Sequence, residues 1–220
     1  MVSFEQVKND PAIRAYVKSA DSSLKALGYT EHSFAHAGKA VAACEYILST
    51  LGFDERTVEI AKIAAFMHDI GNLVNRVDHS QSGAVMAFRL LDKMGMEPEE
   101  IALIVAAIGN HDEGTGVPVN EIAAALILAD KSDVRRRSRV RNSDVASFDI
   151  HDRVNYSATR SDLQINEGKD EITLSLEVDT KYSSVMEYFE IFLERMLLCR
   201  KAAERLGMQF HLEINDQRML

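Results

Sequence analysis

Four histidines and two aspartates are the side chains of this sequence best suited to chemistry: His36, the adjacent pair His68-Asp69, His79, His111 and Asp130. Imidazole nitrogen suits divalent transition metals, and a carboxylate can give one oxygen to each of two ions. The pair stands in Ala64-Ala65-Phe66-Met67-His68-Asp69-Ile70-Gly71, where an apolar helical stretch ends in two strong ligands. Packing alone gives an aliphatic helix no reason to end that way. Taken singly, a histidine beside an apolar helix is ordinarily structural. The ordered set is the signal, and it makes a site only if folding brings the six together.

Helices must do that positioning. The run from His36 to Leu51 carries an apolar stripe through Ala37, Ala40, Val41, Cys44, Ile47 and Leu48, closed by Gly52. Asp54 reads as the N-cap of a second helix reaching about Asp69, and Ser80 as the cap of a third that stops at Gly95. Pro98 suits a first turn ahead of Ile101 to Ile108, and Asn120 caps a fifth helix from Glu121 to Asp133. The ligand candidates then fall at or near helix ends, where one end of a bundle can gather them.

Near residue 140 the texture changes. Leu163-Gln164-Ile165 and Ile172 to Val178 alternate apolar with polar, and Asn166-Glu167-Gly168-Lys169 between them reads as a hairpin turn. A long helix from about Ser184 to Leu206 follows, then an alternating strand from Gln209 to Ile214. The expectation is a mainly α protein: a helical bundle over residues 1–140 and a small ββαβ α+β tail over 141–220. The tail either packs on the bundle or pairs two chains, since an exposed strand such as Gln209 to Ile214 can join two sheets in a homodimer.

The bulk numbers bound the function. With 220 residues, 46% of them hydrophobic, the chain can bury a sizeable core. No apolar run has spanning length and the N-terminus lacks a leader pattern, so a soluble, cytoplasmic protein with no membrane partner is expected. Cys44 and Cys199 read as small buried hydrophobes. The net charge of −9 argues against general nucleic-acid binding. One local exception is the basic cluster Lys131, Arg135, Arg136, Arg137, Arg139 and Arg141. It reads equally as a solvated helix end and as a wall that attracts phosphate.

His36, His68-Asp69 and Asp130, in that order, resemble the H…HD…D signature of the HD-domain superfamily of metal-dependent phosphohydrolases. Phe66-Met67-His68-Asp69-Ile70-Gly71 is similar to that family's apolar-HD-Ile-Gly turn, and His79 and His111 resemble the added ligands of members that hold two metals. The likeness spans roughly residues 30 to 135. Two departures stand out: Asn72 follows Ile-Gly where many members have lysine, and Val117 stands where the HD-GYP phosphodiesterases have tyrosine, so cyclic-di-GMP is not inferred as substrate. The resemblance implies one ion on His36, His68, Asp69 and Asp130, and a second on Asp69, His79 and His111. Asp69 would bridge them, and a bridging hydroxide would attack phosphorus. Iron, manganese, cobalt, nickel and zinc all suit such ligands.

His68, Asp69, Lys39 and Lys131 are therefore the catalytic candidates, the lysines as neutralisers of phosphate. His32, four residues before His36, reads as a ligand, a phosphate contact, a proton donor or a plain helix residue. His151-Asp152 lacks the apolar helix before it and reads as a loop pair. Arg153, Asn155, Tyr156 and Arg160 nearby have no spacing that speaks for a role, and His211 falls on the polar face of its strand. The leading expectation is a phosphohydrolase acting on a nucleotide, dinucleotide or other small phosphorylated metabolite. A di-iron oxygenase on the same fold and a nucleotide-sensing module without turnover are the alternatives.

Overall fold

The structure, a computed structural model, describes residues 1–29, 32–134 and 148–219. Arg135, Arg136, Arg137, Arg139 and Arg141 lie outside the described residues. Two helices precede those expected. Ser3 and Gln6 form a capping box for α1 (Phe4–Asn9), and Asp10 caps α2 (Pro11–Ala26), which has proline in its first turn. Ser33 caps α3 (Phe34–Leu51), which ends at Gly52 with φ +86°. Asp54 caps α4 (Glu55–Met67) by accepting from Arg56 and Thr57 N–H groups. A short 3-10 turn follows at Ile70–Leu73.

Two helix boundaries differ from expectation. Ser80 does not cap α5 (His79–Lys93); it is buried inside the first turn, and Asp78, left-handed at φ 57°, is the N-cap. The reversal at Asp78 makes His79 the first helical residue, close enough for its Nδ1 to meet the Arg76 carbonyl at 3.1 Å. Helix α6 is Pro98–Gly109, and α7 (Glu121–Lys131) is capped by Asn120 as expected. It stops short of Asp133, which leaves the Asp133 carboxylate free of the helix to reach His36. Every residue of α7 from Ile122 to Lys131 is buried. A helix apolar on all sides is a central one, and α7 packs against α3, α4 and α6.

The tail starts with an unforeseen helix, α8 (Ile150–Ser157), so His151-Asp152 is helical rather than a loop pair; Asp149 caps it by accepting from the Asp152 N–H. Strand β1 (Ala158–Ile165) starts earlier than expected and pairs antiparallel with β2 (Glu171–Val178). Helix α9 (Val185–Arg205) crosses over to β3 (Gln209–Ile214), which lies parallel to β2 with Glu171 opposite Gln209. A two-residue strand, β4 (Gln217–Arg218), pairs antiparallel with the end of β3, completing the order β1-β2-β3-β4. His211 is buried, not on an open polar face, because Glu171 at 3.6 Å and Arg218 close over it.

Helix α9 packs on β3 and on α7. One apolar core therefore runs from Val7 through Met67 and Leu126 to Met196 and Leu212. Cys44 and Cys199 are buried in it as expected. Among the described residues no helix is long and apolar enough to cross a membrane.

Candidate metal centre

The last turn of α4 and the 3-10 turn present His68 and Asp69, α3 presents His36, the start of α5 His79, the end of α6 His111, and α7 Asp130. The structure brings all six together. His36 Nε2 lies 3.2 Å from His68 Nε2 and 3.0 Å from Asp130 Oδ1. His68 Nε2 is 3.1 Å from Asp69 Oδ2, and His79 Nε2 is 3.2 Å from His111 Nε2 and 3.5 Å from Asp69 Oδ1. All four imidazoles are buried to within 2% of full burial.

The other ring nitrogen of each histidine fixes its chemistry. His68 Nδ1 meets the Ala65 carbonyl at 2.8 Å, His79 Nδ1 the Arg76 carbonyl at 3.1 Å, and His111 Nδ1 the Ile108 carbonyl at 2.6 Å. A carbonyl only accepts, so these Nδ1 atoms carry the proton and leave Nε2 a bare lone pair. His36 Nδ1 is set 2.8 Å from Asp133 Oδ2, a carboxylate partner of the kind that orients metal-binding imidazoles. Four Nε2 atoms therefore converge with two carboxylates.

The fit of the site to a cation shows most sharply at Asp69. Its Oδ2 is buried with no hydrogen-bond partner among the described residues, a costly state for a carboxylate oxygen. Its Oδ1 points to the opposite side, toward His79, and accepts from Asn72 Nδ2 at 3.0 Å. Asn72, standing where many members of the resembling family have lysine, thus holds the aspartate in place. Two overlapping groups, His36-His68-Asp130 and His68-Asp69-His111, each bring three ligand atoms within 4.8 Å of one another. The donor set fits divalent metal.

The titration of the buried groups follows the same crowding. Burial works against charge on His68, yet Asp69 and Asp130 push its pKa up to about 10. Burial and then the neighbouring His68 and Lys131 charges drive His111 down to about 3. Burial would raise Asp69, but His68 and His32 hold it well below the ordinary carboxylate range. Asp130 is held low against burial by Lys131 and His36.

The two lysine candidates part company. Lys131 is buried, with its ammonium 2.7 Å from Asp130 Oδ2 and 3.1 Å from Glu113 Oε2. Lys39 is half exposed, with its ammonium 3.8 Å from Asp133. His32 stacks edge-on to His36 with ring centroids 5.5 Å apart. Four further residues at the site, Asp133, Arg76, Glu113 and Arg195, were not singled out in the sequence. Asp133 had a faint signal, three residues beyond Asp130, and Arg76 likewise precedes His79 by three. Arg195 comes from α9, far along the chain, and no local spacing announces it.

The HD domain family model matches residues 29–146, just over half of the chain, and the chain belongs to that family. Membership supports a metal-dependent hydrolase. Among solved structures, a predicted HD superfamily hydrolase from an uncultured Thermotogales bacterium is similar at 25% identity, over 60% of this chain and 73% of its own, with a TM-score of 0.44. No curated protein matches the sequence.

Proposed function

We propose that this HD-domain protein is a phosphohydrolase that uses two divalent ions to cleave a nucleotide-like or other small phosphorylated metabolite. The observation that carries the reading is the straddling position of Asp69, with Oδ2 beside His36 and His68 and Oδ1 beside His79. His36, His68, Asp69 and Asp130 would hold one ion, and Asp69, His79 and His111 the other. Bound there, divalent iron, manganese, cobalt, nickel or zinc supplies acidification of water and neutralisation of phosphoryl charge.

The chain's own residues do the rest. Asp133 and the three carbonyl partners keep each Nε2 aimed inward, and Asn72 holds the Asp69 oxygen on the His79 side. Lys131 occupies the outer oxygen of Asp130, so that Oδ1 faces His36. Arg76, with Nη1 3.3 Å from His79 Nε2 and no carboxylate within ion-pair distance among the described residues, is placed to receive a phosphate oxygen. A guanidinium suits that task by its fork of donors.

The test is elemental analysis of protein purified anaerobically without chelators, followed by a phosphate-release screen of nucleotides and dinucleotides with each of the five metals. About two ions per chain, with turnover of a phosphate ester, is the expected result. No ion as purified and none taken up on addition overturns the reading. We propose in addition a homodimer, in which the edge of β3 at Gln209 and Phe210, beyond its pairing with β4, would take a partner strand. A concentration-independent monomer mass by light scattering would remove that assembly.

A further inference from the structure

A cavity of about 480 Å³ opens between the bundle and the tail, within the range that small-molecule sites occupy. His32, Arg76 and Arg195 line both this cavity and a small recess over Asp69, His79, His111 and Asp130. That shared rim is where the cavity meets the metal ligands. The rest of its wall has a different character. Tyr29 and Phe192 give it aromatic surface, while Asp149, Asp152 and Asn155 of α8 line it but not the recess.

The wall at α8 carries two carboxylates, Asp149 at the cap and Asp152 in the helix, with His151 and Asn155 beside them. Among the described residues Asp152 has no cation within ion-pair distance, while Asp149 spends one oxygen on the α8 N-terminus. Asn155 is buried and gives its amide to the His151 carbonyl at 2.9 Å, so the oxygen left over can only accept. The cationic counterpart is confined to the metal end. Arg195 is already paired with Glu113 at 2.7 Å, which leaves Arg76 as the cavity's guanidinium without a carboxylate among the described residues. Among the described residues the cavity thus offers a phosphate Arg76 at the rim, while the carboxylates of the α8 wall repel one.

We infer that this cavity takes the organic part of a phosphomonoester bearing hydroxyl or amino donors, a nucleoside monophosphate being the type, and that α8 rejects a second phosphate. This rests on the phosphohydrolase reading and narrows it: polyphosphates and dinucleotides are the wrong class. The tail, on this account, is the part of the chain that reads the substrate.

Binding separates this inference from turnover. The metal-loaded protein is titrated calorimetrically with three compounds whose carbon–phosphorus bonds resist hydrolysis. They are a nucleoside 5′-phosphonate, the same compound extended by a methylene-linked second phosphoryl group, and phenylphosphonate, which lacks the donors. The wild type is expected to bind the first about tenfold more tightly than the second. Asp152→Lys should reverse that order, Asp152→Asn should level it, and phenylphosphonate affinity should stay within about twofold throughout. Tighter binding of the extended compound by the wild type, or a parallel shift of all three in both variants, overturns the inference. Absence of phosphate-ester turnover alongside the expected binding pattern removes the hydrolase reading and leaves the recognition standing.

Discussion

Asp69 concentrates the chemistry of this molecule in one carboxylate. It sets one oxygen toward His68 and the other toward His79, and its buried Oδ2 lacks a hydrogen bond among the described residues. Asp69→Ala is therefore expected to abolish retention of both ions and hydrolysis together, checked by elemental analysis beside an activity assay. A variant that still holds two ions would sink the bridging role. His79→Ala or His111→Ala should cost one ion and spare the other, because His79 stands on the Oδ1 side and His111 Nε2 lies 3.2 Å from His79 Nε2. Loss of neither ion would place these histidines outside the site. At this scale the sequence was informative, since residue type and order named all six members of the cluster. It was silent on Arg76, Glu113 and Arg195, which are common surface residue types whose roles come from burial and partners. Lys39 shows the converse: proximity in sequence to His36 did not carry it into the cluster, since its side chain points to solvent and Asp133.

Elements convert those residues into a geometry, and the tightest constraint is where the 3-10 turn after Asp69 meets the first turns of α5. A Cβ on Gly71 would lie 1.9 Å from the His79 carbonyl oxygen and 2.4 Å from the Gly83 amide nitrogen. Both are backbone atoms that cannot step aside, so only glycine lets the turn carrying Asp69 sit against the helix carrying His79. Gly71→Ala is expected to destabilise the fold by about 3 kcal/mol or more, the upper range for overpacking, and to weaken uptake of the second ion. A melting temperature within the error of wild type would contradict this. The sequence marked Gly71 as part of a motif, yet its necessity lies in a contact with α5 that no local pattern displays. Caps were more legible: Asp54 and Asn120 read correctly because a side-chain oxygen before an apolar run is a local device. Asp78 did not, because its left-handed turn caps without its side chain. In the tail, Ser184 and Glu187 form a capping box for α9, and Glu187 also accepts from Arg153 of α8 at 2.9 Å. The Ser184 N–H first, and Arg153 next, pull the Glu187 carboxyl from 4.5 to about 2. A depressed carboxylate stabilises the fold above its unfolded value and loses that contribution as pH falls from 4.5 toward 2. The melting temperature of Glu187→Gln should thus depend less steeply on pH across that window. An unchanged slope would show that the cap does not titrate with folding.

On the scale of the whole molecule, the tail is wired to the proposed metal ligands by charge as well as by the shared core. Asp130 contacts Lys131 at 2.7 Å, Lys131 contacts Glu113 at 3.1 Å, and Glu113 contacts Arg195 of α9 at 2.7 Å. The chain holds two anions and two cations in alternation. Burial opposes charge on Lys131, but Asp130 and Glu113 together raise its pKa, and Arg195 in turn helps hold Glu113 low. Removing Arg195 leaves one ammonium to serve two buried carboxylates. Breaking a buried pair from one side costs about 3–5 kcal/mol. Arg195 and Glu113 are each 19% exposed, so solvent reduces that cost, and Arg195→Ala should lose about 2–3 kcal/mol in denaturant unfolding. Combining it with Glu113→Gln removes the stranded charge, so the double variant should be less destabilised than the sum of the singles by about 1 kcal/mol or more. Because α9 packs on both α7 and β3, the loss should appear as a shift of one cooperative transition, not as early melting of the tail alone. Strict additivity would mean that the ion chain does not couple the tail to Asp130. Two separated transitions in the wild type would mean that the common core does not bind bundle and tail into one folding unit.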